Sequence, residues 1–274
     1  MPELTLGTLP PTAVVAFGTR ERSRDLIRRA FPKRKGRLTF VRSSHDLLGA
    51  IQTGVVDAVV VDLAQPAEEH WAAAALAREF PSIPFFALAA LRPADLPAIA
   101  RVCAELDFTD CLSEGVDDAA LRELMLPSTF TVRFATALQG ADERLGLTSD
   151  VQKRAWRLVV AHGGRVVRTE AIADALGLTR EHLSRRFSLG GSPNLKRVID
   201  LVRLLAASEL AKNPGFDLPD ISRVLGFASA SHLSSTCVRL LGVKSSSLAR
   251  LRPTDLMDRF AKQGRFRSRS KASA

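Results

Sequence analysis

The chain has 274 residues, of which 46% are hydrophobic and 25% charged, with a formal net charge of +10. That length suits about two domains with real cores, and no apolar run reaches the roughly 20 residues that a membrane-spanning helix needs. Three cysteines without a CxxC pair, and five scattered histidines, argue against a disulfide framework or a structural zinc and suit a reducing cytoplasm.

The opening MPELTLGTLPPT lacks the basic region and long apolar stretch of a signal peptide, so none is expected. Charge divides unevenly along the chain. Residues 1–127 hold 14 Lys+Arg against 17 Asp+Glu, a net −3; of the chain totals of 39 and 29, this leaves 25 and 12 for residues 128–274, a net +13. An ordinary soluble half joined to a polyanion-binding half would divide this way. A solvated basic face with a basic tail is the plainer alternative.

Residues 12–126 alternate strand and helix signals. The apolar runs TAVVAFG, RLTFVR, DAVVVDL, IPFFALA and FTDCL are separated by helix-length segments, Glu21–Phe31, His45–Thr53, Glu68–Phe80, Ala94–Leu106 and Asp117–Leu126. Five β–α units with near-continuous apolar strands predict a parallel sheet covered on both faces, with any ligand chemistry at the carboxyl ends of the strands. The run Val59-Val60-Val61-Asp62-Leu63-Ala64-Gln65-Pro66 resembles the third strand of response-regulator receiver domains, where an aspartate accepts a phosphoryl group. The resemblance implies a flavodoxin-like fold over residues 12–126. Its chemistry is largely missing. Where the family places an acidic, metal-holding pair, this chain has Phe17-Gly18-Thr19-Arg20; the switching Thr/Ser corresponds to Ala89, and the lysine to Glu114. Phosphoryl transfer depends on cations that neutralise developing charge, so Asp62 is expected to be a vestigial phosphoacceptor in a pseudo-receiver. Gly18-Thr19 ahead of a helix with Arg20, Arg22, Arg24, Arg28 and Arg29 suggests either an anion site at a helix amino-terminus or a solvated basic helix.

Leu126-Pro127-Ser128 closes this half. Phe130, Phe134, Ala137, Leu138, Ala141 and Leu145 then recur at helical spacing, which predicts a linker helix over 127–147. A period-two strand through Phe130, Val132 and Phe134 competes with it. Such a stripe docks within its own chain or pairs with a second copy.

From 148 onward one grammar is stated twice. Ala171–Leu178 and then Thr179–Phe187 form the first statement; Ile221–Phe227 and then Ala228–Cys237 form the second. In each, a small residue (Ala173, Ser222) stands four positions before a glycine (Gly177, Gly226), and a second helix follows with its apolar side at Leu183 and Phe187, or Leu233 and Cys237. A small residue permits close helix packing, and glycine supplies the left-handed backbone that ends a helix. Two helix-turn-helix units are predicted. Thr148 and Ser149 offer caps to a preceding helix, Thr169 and Thr179 to the two helices of the first unit, and Asp217 to the second unit. Ser192-Pro193 is expected to start the connecting helix.

At these residues the chain resembles the AraC/XylS family of bacterial transcription regulators. The resemblance spans Ser149 to Arg252. It rests on the first unit through His182-Leu183-Ser184-Arg185-Arg186-Phe187, on Arg203, Leu204, Ala207 and Leu210 of the connecting helix, and on Ile221–Phe227, Ser229–Leu233 and Gly242. It departs from the family at Leu233 and Cys237, where phenylalanine is usual, and at Ser245, where proline is usual. The resemblance implies that both second helices enter the DNA major groove. The base-reading positions it implies are Arg180, Glu181, Ser184 and Arg185 in the first unit, and Ser231, Ser234 and Ser235, beside Ala230, in the second. Arginine can grip guanine with two hydrogen bonds and glutamate can accept from cytosine, whereas short hydroxyls discriminate poorly. The first helix is therefore expected to carry most of the specificity. Arg186, Arg223, Arg239 and Lys244 are candidate phosphate contacts. His182 and His232 are expected to pack or cap rather than bind metal.

The tail, residues 253–274, is rich in Arg and Ser toward its end and reads as disordered. The sequence thus points to an α/β receiver-like domain (12–126) joined to an all-α DNA-binding domain (148–252). No Walker A loop, no Gly-x-Ser-x-Gly and no convincing carboxylate pair is present, so neither an enzyme nor a cofactor is expected. The partners expected are double-stranded DNA, a second copy of the chain, and a protein partner such as RNA polymerase; a membrane is not among them. The competing reading is a protein-interaction adaptor with weakened or nonspecific DNA binding.

Overall fold

A computed structural model of the chain describes residues 10–90, 96–115, 117–188 and 192–272; the segment read for a leader lies almost wholly outside them. Two compact units result. One comprises Pro11–Arg133 with Asn213–Phe216, the other chiefly Phe134–Lys212 and the residues from Asp217 on.

The first unit is a five-stranded sheet: β1 (Thr12–Phe17), β2 (Gly36–Val41), β3 (Ala58–Asp62), β4 (Phe85–Ala89) and β5 (Asp110–Ser113). All neighbours are parallel, in the order β2-β1-β3-β4-β5, which is the flavodoxin-like arrangement. Between them run α1 (Glu21–Ala30), α2 (Ser44–Thr53), α3 (Glu68–Glu79) and α4 (Leu96–Glu105), and α5 (Asp118–Met125) follows. The expected start of the fourth helix at Ala94 lies outside the described residues. Every residue of β3 and β4 is buried, because helices cover both sheet faces; this is why their sequences are unbroken apolar runs. Val14, Ala16, Val60, Phe86 and Leu88 pack on one side with Leu26 and Ile27 of α1 and Leu121 and Met125 of α5.

A buried carboxylate secures the opposite, amino-terminal edge of this sheet. Asp57 accepts from the Ala13 amide at 2.7 Å and the Thr131 amide at 3.1 Å, and also from the Thr131 hydroxyl. Its own carbonyl accepts from the Phe130 amide at 2.9 Å.

The continuous linker helix expected over 127–147 is broken. A short 3-10 turn (Leu126–Ser128) leads to α6 (Phe130–Ala137) and then to α7 (Ala141–Arg144). Gly140 between them has φ +73°, a left-handed conformation that a helix cannot carry. Of the apolar stripe, Phe130, Phe134, Leu138, Ala141 and Leu145 are buried within the single chain, and the extended alternative is not adopted.

The remaining helices are α8 (Asp150–Ala161), α9 (Thr169–Ala175), α10 (Arg180–Phe187), α11 (Leu195–Leu210), α12 (Leu218–Val224), α13 (Ala230–Leu241) and α14 (Pro253–Ala272). Helix α11 is the hub: Leu195, Val198, Ile199, Leu201, Val202, Leu204, Leu205 and Leu210 are all buried, as befits a helix apolar on most sides. Its start differs from expectation. Asn194, not Ser192, caps it by accepting from the Arg197 amide, and Ser192 instead donates to the Phe187 carbonyl at 2.6 Å. Arg168 rather than Thr169 occupies the cap of α9.

The disordered tail expected over 253–274 is corrected for its described part. Helix α14 occupies Pro253–Ala272, and Leu256, Met257 and Phe260 are buried. Their spacing puts three large apolar groups on one face, which anchors a segment whose average composition is polar. Asp255 fixes its start by accepting from the Arg252 amide and guanidinium. No helix among the described residues is long and apolar enough to cross a membrane.

Candidate nucleic-acid interface

The two repeats seen in the sequence close their turns with the same hydrogen bonds. At the end of α9 the Leu178 amide donates to the Ala173 carbonyl at 2.9 Å and the Gly177 amide to Asp174 at 3.1 Å; at the end of α12, Phe227 donates to Ser222 at 2.8 Å and Gly226 to Arg223 at 3.1 Å. Both glycines are left-handed, at φ +67° and +65°. This pairing of bonds is a Schellman motif, which satisfies carbonyls the helix leaves open. Each second helix then receives a side-chain cap: Thr179 accepts from the His182 amide at 3.2 Å, and Ser229 from the His232 amide at 3.0 Å. Leu183 and Phe187, like Leu233 and Cys237, are fully buried. The second turn is one residue longer, Ala228 being the insertion. Leu233 and Cys237 thus take, fully buried, the places that Leu183 and Phe187 take in the first unit.

The second unit carries an extra clamp. Arg203 of α11 donates to the Leu225 carbonyl at 2.9 Å and the Gly226 carbonyl at 2.7 Å, with its guanidinium 4.0 Å from the Phe227 ring centroid. A cation at a helix carboxyl end is favourably placed. Burial lowers the affinity of Arg203 for its proton, while Asp200 beside it raises it. In the first unit, Gln152 plays the corresponding tying role. Buried at the start of α8, it accepts from the Thr148 and Ser149 amides and donates to the Phe187 carbonyl at 2.7 Å.

The predicted reading residues differ between the two helices in how free they are. Arg180, Glu181, Ser184, Arg185 and Arg186 are all exposed on α10. Arg180 pairs with Glu170 at 3.2 Å, and Arg186 donates to the His182 ring at 2.8 Å. On α13, Ser231 and Ser235 are exposed and Ser234 is half-buried. Ser234 shares a 2.8 Å hydrogen bond with Ser245, and Ser235 donates to the His232 carbonyl at 3.0 Å. Ser245 therefore engages the second helix directly. Of the phosphate candidates, Lys244 is exposed, Arg223 pairs with Asp220 at 2.8 Å, and Arg239 lies 3.4 Å from Asp200. His232 packs edge-on against Phe227.

A family model described as a helix-turn-helix domain matches residues 172–250. That span runs from α9 through the 3-10 turn after α13, so it takes in both repeats. Among solved structures, the chain is similar to full-length FixJ from B. japonicum at 13% identity, over 83% of this chain and 96% of that one, with a TM-score of 0.38. No curated protein matches the chain.

The carboxyl end of the sheet holds a second group of charged side chains. Asp62 ends β3 buried, and Arg20 grips it with two side-chain bonds, Nε to Oδ2 and Nη2 to Oδ1, each 3.1 Å, while its own amide also donates to Oδ2 at 3.1 Å. The same guanidinium is ion-paired with Glu114, and Ser23 donates to Glu114 at 3.3 Å. Burial raises the Asp62 pKa, but the bonds from Arg20 and from the Ala64 amide outweigh it and hold the carboxyl below its usual range. The amide at the start of α1 thus already faces an anion, and that anion is Asp62. Three of the arginines beyond Arg20 are paired: Arg28 with Glu21 and Asp25, Arg24 with Glu21, and Arg29 with Asp118 at 3.9 Å. Arg20 and Glu114, far apart in the chain, are in space one exchange: a cation where acids were expected, paired with an acid where a cation was expected. Among the described residues no cluster of histidine, cysteine and carboxylate side chains could hold a metal ion.

Proposed function

We propose that this chain is a sequence-specific DNA-binding transcription regulator of the AraC/XylS type, acting in the cytoplasm, with residues 148–252 as its DNA-binding domain. The observation that carries this reading is the repeated turn and cap geometry of α9–α10 and α12–α13, in the half of the chain with a net charge of +13. The matched helix-turn-helix model supports it. Base reading falls mainly to α10, through Arg180, Glu181, Ser184 and Arg185. Helix α13 contributes less through Ser231, Ser234 and Ser235, and mainly sets position. Arg186, Arg223, Arg239 and Lys244 serve the phosphates. The receiver-like domain takes no phosphoryl group and serves instead for self-association or for sensing a partner or ligand, and the chain catalyses no reaction. Selection of bound sequences from a random duplex pool tests the central point: an enriched motif is expected.

One observation favours the second reading, a protein-interaction adaptor. Two of the three serines assigned to the second reading face, Ser234 and Ser235, already spend their hydroxyls inside the protein. Recovery of no enriched motif, with duplex binding retained at low salt, would establish that reading in place of the first.

A further inference from the structure

The first half of the chain is acidic overall, yet one stretch of it is wholly basic. Of the 14 Lys+Arg in residues 1–127, seven fall between Arg28 and Arg42, a stretch with no Asp or Glu; the rest of that half holds 7 against 17, a net −10. The stretch comprises the end of α1, the turn after it, and β2. On the helix its arginines are neutralised locally: Arg28 pairs with Glu21 and Asp25, and Arg29 lies 3.9 Å from Asp118. Beyond the helix this stops. Lys33, Arg34, Lys35, Arg37 and Arg42 are exposed, and among the described residues none has a carboxylate partner. The fold sets four of them on a stiff support. Phe31 is buried and closes α1, its amide donating to the Ile27 carbonyl at 2.9 Å. The Pro32 carbonyl accepts from the Lys35 amide at 2.7 Å and the Gly36 amide at 2.9 Å, and the Lys35 carbonyl accepts from Thr12 at 3.2 Å, which leads the chain into the sheet. A Cβ at Gly36 would lie 2.6 Å from that of Phe31, so the turn folds back as tightly as glycine permits. Lys33, Arg34 and Lys35 stand on this turn, and Arg37 follows on β2, an edge strand of the sheet.

We propose, on the reading that residues 148–252 bind duplex DNA, that Lys33, Arg34, Lys35 and Arg37 form a second DNA contact, made to phosphates that flank the site held by the helix-turn-helix units. Unpaired like charges this close repel one another, a cost that a bound polyanion removes. Duplex DNA presents one negative charge per roughly 1.7 Å of its axis, so a compact row of cations finds phosphates at any sequence. No aromatic side chain lies among these four residues, and binding of unpaired bases would need one as a stacking platform. A duplex is therefore the nucleic acid that the patch fits. An acidic protein would satisfy the same charges, but the duplex has an advantage. Once the other half of the chain holds it, the second contact is intramolecular, and individually weak phosphate contacts suffice. The position of the patch in the sheet agrees with this. Ala13, in register with Arg37, donates to Asp57, and Asp57 in turn accepts from the amides of Phe130 and Thr131. The basic turn thus lies on the sheet edge at which the chain enters α6 and continues to the helix-turn-helix units.

The test compares the full-length chain with a variant carrying Lys33→Gln, Arg34→Gln, Lys35→Gln and Arg37→Gln, all at exposed positions; an unchanged melting temperature verifies that it folds. Two duplexes share the site selected from the random pool. One ends at the borders of the site, and the other extends it by about two helical turns, roughly 20 base pairs, on each side. The wild-type chain should bind the longer duplex more tightly, and the variant should lose that gain, about tenfold at 0.1 M salt, with the slope of log affinity against log salt shallower by about 0.9 for each side chain that touches a phosphate. Both proteins should bind the short duplex equally. In the wild-type chain, acetylation of Lys33 and Lys35, read by mass spectrometry, should be suppressed by the longer duplex and not by the shorter. Equal affinities of variant and wild type for the longer duplex would overturn the proposal and leave the helix-turn-helix reading intact. An equal loss on both duplexes would also overturn it, by placing the cations inside the site. Binding of polyglutamate by the wild type alone, with duplex affinities unchanged, would assign the patch to an acidic protein instead. Absence of any site-dependent binding by the wild-type chain would overturn the DNA-binding reading, and this contact with it.

Discussion

At the scale of single residues, the most consequential substitution is the arginine at position 20. Breaking a buried ion pair by removing one partner leaves the other charge stranded, and costs more than the pair contributes. Arg20→Ala would strand both Asp62 and Glu114; because the arginine side chain is itself about a third exposed, solvent softens the loss, and a destabilisation of about 2–4 kcal/mol is expected. The pH dependence has a definite sign. The folded-state pKa of Asp62 is lowered, so its contribution is fully present above the unfolded carboxyl pKa of about 3.9 and is lost as pH falls through the lower, folded value. Urea unfolding of both proteins from pH 7 down to 3 should show a wide gap at neutral pH that narrows in acid; a gap independent of pH would refute the assignment. A second expectation follows from the same grip. A small acyl phosphate with magnesium should leave the intact mass unchanged, since a guanidinium occupies the carboxylate's hydrogen-bonding sites and no acidic pair is there to recruit the metal. In the DNA-binding half, Arg185→Ala should cost about 1–3 kcal/mol on the preferred duplex and relax one base position. Ser234→Ala should cost less, its hydroxyl being held by Ser245. If Ser234→Ala abolished sequence preference while Arg185→Ala weakened all duplexes alike, α13 and not α10 would be the principal reader.

At the scale of elements, the two turn glycines separate backbone strain from crowding. Both need a left-handed backbone, and a Cβ at Gly177 would meet open space, whereas one at Gly226 would lie 2.4 Å from a Val166 methyl. Gly177→Ala should therefore cost about 1–2 kcal/mol, the left-handed penalty alone, and Gly226→Ala measurably more. Thermal unfolding of the two variants checks the order, and equal losses would show that Val166 gives way freely. These turns were also where the sequence was easiest to read. Glycine at a helix end, a small residue four positions earlier and a capping hydroxyl a few residues later are local requirements, so they are written locally. The β–α alternation was legible for a similar reason, because strands buried on both faces must be apolar throughout. Other features depend on partners that sequence spacing does not reveal. Helix α14 is held by Leu256, Met257 and Phe260, three residues whose signal is diluted by the polar segment around them. Gly140 splits α6 from α7, although the apolar spacing runs straight through the break. Arg20 and Glu114 meet only because β1 and β5 end on the same side of the sheet.

At the scale of the whole molecule, the division of charge bears on how DNA would be held. A net +13 in residues 128–274 against −3 in the remainder concentrates cations on the half that contains both helix-turn-helix units. Phosphate contacts release condensed counterions, so affinity for any duplex should fall steeply with salt. Several arginines on this half are partly neutralised at home: Arg180 by Glu170, Arg223 by Asp220, and Arg239 weakly by Asp200. Each must give up or share that partner to reach a phosphate, so the salt response should be smaller than the formal charge implies. Arg239 is the clearest case. Its link to Asp200 is long at 3.4 Å and its side chain is nearly half exposed, while Asp200 retains Arg203 at 3.6 Å. Its release therefore leaves no carboxylate without a partner. Arg239→Ala should weaken specific and random duplexes by the same factor and shallow the slope of log affinity against log salt by about one unit. Arg185→Ala should instead narrow the difference between specific and random duplexes. Titrations of both variants on matched duplexes at several salt concentrations distinguish the two effects. A loss in Arg239→Ala confined to the specific duplex would move that residue from the phosphates to the bases.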